Sequence, residues 1–91
     1  MPKYQIFETT QFSKDLAKLA PNTERLHKKL QTFSYPQLKE NPHFGNNIKK
    51  LKGYQPDTWR YRIGNYRFFY EIDEIDKLVL MTVAENRKKA F

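Results

Sequence analysis

The chain contains no cysteine. That excludes disulfides, thiolate metal centres and a cysteine nucleophile, and it removes any need for an oxidising compartment. Histidine is scarce: His27 and His43 are the only two, one expected on the polar side of a helix and one in a loop. Two isolated imidazoles do not make a metal site. The three glycines, Gly45, Gly53 and Gly64, match no nucleotide-binding loop. No stretch approaches the ~18 apolar residues of a membrane span, and the opening MPKYQIFETT has no signal-peptide core. The expectation is a cytoplasmic protein with no membrane partner, no metal and no small-molecule cofactor.

What the chain does have is positive charge. Its 91 residues carry 17 Lys and Arg against 10 Asp and Glu, a formal charge of +7. A chain of this length forms one domain, residues 1–91, that buries about two-thirds of its unfolded surface. The basic balance favours an anionic partner, nucleic acid or an acidic protein, over a membrane surface.

Aromatic and β-branched residues at Tyr4 to Glu8 predict a strand ending at Thr9-Thr10, which suit a helix cap. Phe12, Leu16 and Leu19 then recur at helical spacing until Ala20-Pro21 breaks the pattern. Asn22-Thr23 is expected to cap a second helix with a core stripe of Leu26, Leu30 and Phe33, ended or kinked by Pro36. From Asn41 to Pro56 the composition turns to Pro, Gly, Asn and Lys, which reads as a connecting loop anchored by Ile48 and Leu51. Trp59 to Ile63, Tyr66 to Asp73 and Lys77 to Glu85 predict a three-stranded antiparallel meander. The predicted fold class is α+β, ordered β-α-α-β-β-β, with a helical hairpin on one face of a small, mainly antiparallel sheet. Phe68, Tyr70, Ile72, Leu78 and Leu80, with Tyr61 and Trp59, are expected to line its core.

Within the meander, TWRYRIGNYRFFY (Thr58 to Tyr70) carries the main functional signal. A two-residue turn at Gly64-Asn65 sets Arg62 opposite Arg67 and Arg60 opposite Phe69. Alternation then puts Arg60, Arg62 and Arg67 on one face, away from the helices. Like charges directly opposite one another destabilise a sheet by up to ~1 kcal/mol. The bland explanation is a solvated face whose long side chains cover apolar neighbours, with Glu71 available to Arg60. Against it, Lys49, Lys50 and Lys52 precede the arginines, and Arg87, Lys88 and Lys89 follow the last strand. Guanidinium forks suit phosphate oxygens and stack on bases, so the trio with Phe69 fits RNA or a charged protein groove. No recognition helix for reading DNA stands out. The carboxylates Glu71, Asp73, Glu74 and Asp76 are read as a solvated turn rather than a cation site.

Taken together, the strand, the helical hairpin, the segment Lys49 to Gly53, the stretch Trp59 to Ile72 and the ending Asn86-Arg87-Lys88-Lys89-Ala90-Phe91 resemble the RelE/ParE superfamily of toxins from type II toxin–antitoxin modules. The resemblance covers nearly the full length. In its RelE-like branch it implies a toxin that enters the ribosomal A site, cleaves mRNA without metal and is silenced by a cognate antitoxin. It assigns the catalytic set to Arg60, Arg62, Arg67 and Arg87, with Phe91 to stack on a base, and RNA contact to Lys49, Lys50, Lys52, Lys88 and Lys89.

Several relatives carry lysine where this chain has Arg60 or Arg62, and histidine or tyrosine near Asn86 and Phe91. Arginine stays protonated, and neither Asn nor Phe transfers a proton, so the general base is open. Lys50, Lys52, Glu71 or Glu85 would serve only if the fold brings one close. Two alternatives stand beside the nuclease: a ParE-like inhibitor of DNA gyrase, and an inactive toxin-like module whose basic face accepts an antitoxin.

Overall fold

The computed structural model describes residues 3–87, so Lys88, Lys89 and Phe91 lie outside the described residues. Strand β1 (Gln5–Glu8) runs directly into α1 (Thr10–Ala17). Thr9 makes the join. Its Oγ1 accepts the Phe12 N–H at 3.2 Å, satisfying an orphan donor of the first turn, and donates to the Met81 carbonyl at 2.8 Å. The helix turns Phe12 and Leu16 into the core, while Asp15 accepts the Ala84 N–H at 3.2 Å.

The second helical stretch departs from the predicted stripe at its third member. Helix α2 (Thr23–Lys29) widens into a π-helical turn over Leu30–Ser34 and continues as α3 (Tyr35–Glu40). Pro36 is the cause: it has no N–H to give, and its ring crowds the carbonyl four residues back. The wide turn, closed by the Tyr35 N–H on the Leu30 carbonyl, carries the helix past the proline instead of ending it. The extra residue rotates Phe33 outward, leaving it 65% exposed, and turns Ser34 inward. The buried stripe is therefore Leu26, Leu30, Ser34, Tyr35 and Leu38. Asn22 also differs from expectation: it occupies the N-cap position without capping, and its side chain donates to the Tyr66 hydroxyl at 2.9 Å.

Four more strands follow: β2 (Ile48–Leu51), β3 (Thr58–Ile63), β4 (Tyr66–Asp73) and β5 (Leu78–Asn86). The sheet order is β1-β5-β4-β3-β2, with β1 parallel to β5 and the other pairs antiparallel. This is the expected α+β arrangement of helices on a mainly antiparallel sheet, with one strand, β2, beyond the predicted β-α-α-β-β-β order. The β3–β4 register is the one derived from the turn, Arg62 opposite Arg67 and Arg60 opposite Phe69. Gly64 supplies the positive φ of 57° that the first central position of a type II′ hairpin requires.

Two readings of the sheet are corrected. The segment expected to be all loop contains β2, an edge strand too short and too lysine-rich to show alternation, as edge strands commonly are. In β5, Val79 and Met81 are fully buried, whereas Leu78 and Leu80, expected in the core, are only half-buried on the other face. The run LVLMTV has no polar alternation to fix its phase, and a register shift between Phe69 and Tyr70 adds a bulge.

At the end of the sheet away from the β3–β4 turn, Glu74 ties three segments together. It accepts the Tyr4 hydroxyl at 2.8 Å and Lys77 Nζ at 3.2 Å, and it pairs with His43 Nε2 at 2.8 Å. These bonds, Tyr4 foremost, hold its carboxyl below its ordinary value of 4.5. Asp73 accepts the N–H groups of Ile75 and Asp76, so the carboxylate cluster is turn chemistry. Nearby, the buried Tyr70 hydroxyl donates to the Pro42 carbonyl at 2.7 Å, and burial pushes its phenol upward.

Three consequences are measurable by urea unfolding. Tyr70→Phe should destabilise the fold by about 1–3 kcal/mol, because it strands a buried carbonyl. Ser34 Oγ is buried without a partner among the described residues, so Ser34→Ala should be neutral or stabilising by up to ~1 kcal/mol. Because the Glu74 carboxyl is lowered on folding, its contribution is present above pH 4.5 and lost as pH falls through the folded value. Glu74→Gln should therefore reduce the fall in stability below pH 4.5.

Candidate nucleic-acid interface

The face of the sheet opposite the helices collects the basic residues row by row. In one row the ladder sets Arg62 beside Arg67, and Arg67 beside Glu85; in the next it sets Lys49, Arg60, Phe69 and Val83 side by side. Four cations and one carboxylate thus share neighbouring positions on one side of the sheet. Arg62 and Lys49 are exposed, whereas Arg60 and Arg67 are half-buried.

Among the described residues, the ion pair on this face joins Arg67 Nη2 to Glu85 Oε1. Its partners are each about 30% exposed, 30% and 31%, so the pair contributes at most ~1 kcal/mol. Its larger effect is geometric, because it holds the Arg67 fork against a carboxylate, the group whose shape and charge a phosphate most resembles. Arg60 Nε and Arg67 Nε are both buried without a hydrogen-bond partner among the described residues. Unsatisfied donors of this kind cost stability and are a recurrent feature of sites built to receive something else.

The Arg60–Glu71 pairing that the bland explanation offered is not among the ion pairs of the described residues; Glu71 stands opposite Leu80. Glu85, named from the sequence only as a conditional base, is the carboxylate that the register delivers to the arginines. The signal that could have found it is the bulge, which needs the β4–β5 pairing to be known.

Not every predicted residue joins the cluster. Lys50 stands opposite Trp59 on the helix side of the sheet, where its Nζ lies 3.2 Å from Asp57 and 5.7 Å from the Trp59 ring centroid. Lys52 is exposed in the turn after β2. Arg87 is exposed just past β5, and its backbone N–H donates to the Asn65 carbonyl at 2.7 Å, which brings it to the arginine end of the sheet. Both histidines are half-buried and bonded rather than free at the surface. His27 Nε2 lies 2.8 Å from Glu8, which also accepts the Tyr35 hydroxyl at 2.6 Å, and His43 engages Glu74. Burial and the Glu8 carboxylate push the Tyr35 phenol upward. These pairs fasten helices and loops to the sheet and lie away from the arginines.

Residues 6–89 match the family model of the ParE toxin of the type II toxin–antitoxin system, parDE. No curated protein sequence matches. Among solved structures, the chain resembles the toxin–antitoxin complex RelBE2 from Mycobacterium tuberculosis at 28% identity and a TM-score of 0.72, covering 96% of this chain and 100% of that one. It resembles the RelB–RelE antitoxin–toxin complex from Methanococcus jannaschii at 29% identity and 0.61, covering 90% and 91%. The archaeal RelE–RelB complex from Pyrococcus horikoshii, at 24% identity and 0.69 over 97% and 99%, shares the fold. The sequence match over nearly the whole chain and the arginine-bearing sheet agree: the chain belongs to the RelE/ParE superfamily and is a toxin of the type II toxin–antitoxin class.

Proposed function

We propose that this toxin is an endoribonuclease that cleaves mRNA on the ribosome and so arrests translation, with a cognate antitoxin as its controlling partner. The observation that carries the reading is the row Arg62, Arg67 and Glu85 beside Lys49, Arg60 and Phe69 on one sheet face. Cleavage by this route needs a 2′-hydroxyl to lose its proton and attack the adjacent phosphorus while the bond to the 5′-oxygen breaks and that oxygen takes a proton from water, leaving a 2′,3′-cyclic phosphate and a 5′-hydroxyl. The arginines supply what that step asks of a protein: they orient the phosphate and balance the charge that builds on its oxygens. Phe69, opposite Arg60 in the ladder, offers a ring to a base.

Proton transfer is the harder part. Arginines do not give up protons near neutral pH, and Asn86 stands where several relatives carry histidine. Glu85 is the carboxylate beside Arg67, so it is the group we assign to accept the 2′-hydroxyl proton as RNA phosphate takes over the Arg67 fork. The ribosome supplies the remaining positioning of the strand. An antitoxin partner is supported by the relatives, which were solved as toxin–antitoxin complexes.

Inhibition of DNA gyrase is the second reading. The match to the ParE family model favours it, as does the absence of an imidazole at Asn86. In that case the arginine face would be an interaction surface rather than a catalytic one.

Purified toxin incubated with ribosomes on a defined mRNA, with new ends mapped by primer extension, separates the readings. Cuts in the A-site codon are expected, reduced at least 100-fold in Arg67→Ala and Arg62→Ala, about the scale of losing an electrostatic stabiliser of the transition state. Intact mRNA together with blocked supercoiling by gyrase would transfer the assignment to the second reading. Glu85→Gln should also cut slowly and lose the acid limb of the pH–rate profile. A slow variant whose limb survives would make Glu85 a positioning residue for Arg67.

A further inference from the structure

Among the described residues of the two basic rows, Glu85 is the single carboxylate, and the bulge puts it there. Counted on from Tyr70 opposite Met81, an unbroken antiparallel ladder would set Ala84 opposite Arg67. Thr82 is the extra residue that shifts the count, and its hydroxyl donates to the Phe69 carbonyl at 3.3 Å. Glu85 therefore meets Arg67, and Ala84 lies buried opposite Phe68. The Arg67 fork thus carries an internal anion, whereas Lys49, Arg60 and Arg62 take part in no ion pair of the described residues. We propose that Glu85 is a specificity-determining residue: by holding Arg67 it closes the arginine site to free RNA and admits a strand whose phosphate is already fixed in place, as the ribosome fixes mRNA.

A phosphate that enters must first release the Arg67 fork and then lie beside a carboxylate of its own sign. Releasing the fork costs little, because the pair is partly exposed. The second cost is the larger, since two negative charges a few ångströms apart in a half-buried site are poorly screened. A free strand meets both costs together with the loss of its own translational and conformational freedom. A strand held by the ribosome has lost that freedom beforehand, so the same contacts suffice to displace Glu85.

Such a device answers a problem set by composition. Phosphate contacts give affinity without regard to sequence, so a chain of net charge +7 tends to bind any RNA it meets. The exposed Lys49 and Arg62 still draw the toxin toward RNA, while Glu85 withholds the contact at Arg67. A carboxylate kept only to offset the repulsion between Arg62 and Arg67 gives a different pattern: its removal lowers stability and raises RNA affinity no more than the loss of any other negative charge. The inference rests on the nuclease reading, in which the displaced Glu85 then accepts the 2′-hydroxyl proton.

The test is fluorescence anisotropy of the full chain, without ribosomes and at one salt concentration, on a labelled uridine oligomer of about ten nucleotides. Every 2′-hydroxyl of the oligomer is methylated, so that binding is read without cleavage. Glu85→Gln is expected to bind it about tenfold more tightly than the wild type, or better. Glu71→Gln removes the same charge from the same face of the sheet and should tighten binding by less than about threefold. Arg67→Ala combined with Glu85→Gln, which keeps the net charge of the wild type, should lose the gain. The inference is overturned if Glu85→Gln binds no more tightly than the wild type, if Glu71→Gln gains as much, or if the gain survives without Arg67. Cut mRNA in the ribosome assay with no gain in Glu85→Gln refutes this inference alone; intact mRNA refutes the nuclease reading, and selectivity for ribosome-held RNA falls with it.

Discussion

A two-residue turn at Gly64-Asn65 fixes which face of the sheet each residue of β3 and β4 occupies, and both surfaces of the hairpin depend on it. Side chains alternate with a period of two, so a slip of one residue in either strand would move its arginines into the core and its aromatics into water. The positive φ at Gly64 makes the short turn available without strain. The buried Tyr61, Phe68 and Tyr70 then enforce the register from the inside. Burying such aromatics is worth roughly 1.5–3 kcal/mol each, against at most ~1 kcal/mol for the repulsion of Arg62 and Arg67 across the ladder. The core decides the register, and the arginines accept the positions it leaves them.

Because the repulsion is smaller than the burial that opposes it, the fold tolerates a charge arrangement it would not choose for stability. The Arg67–Glu85 pair offsets part of the cost, and the unpaired Nε atoms of Arg60 and Arg67 add to it. A sheet face built only for solubility would mix its charges. Here carboxylates collect at the opposite end, where Asp73 and Glu74 stabilise the β4–β5 turn, and the cations stay together near the hairpin.

Sequence reading succeeded wherever one face of an element is buried and the other wet. Strand β4 was readable to its ends, the turn gave the β3–β4 pairing, and the arginine face followed from those alone. It failed where that contrast disappears. Strand β2 is an edge of four residues with two lysines at its centre, and β5 is apolar on both faces, so neither carries a usable alternation. Phe33 was misplaced because helical spacing assumes a constant 3.6 residues per turn, and Pro36 imposes a local exception. Lys50 and Lys49 were grouped by composition, yet a strand separates neighbours onto opposite faces. Glu85 became visible as part of the site only through a bulge, a feature of two strands jointly and of neither sequence segment by itself.

The two surfaces sit back to back around one hairpin. Arg62 and Arg67 project from one side of it, and Ile63 and Tyr66 line a groove on the other. Anything seated on one of these faces leaves the other uncovered unless it also passes around Gly64-Asn65. That tip is open: apart from its chain neighbours, Gly64 has no atom among the described residues within 4 Å of where a side chain would start. One short turn thus carries two chemically unlike surfaces, and the core residues that set its register place both of them.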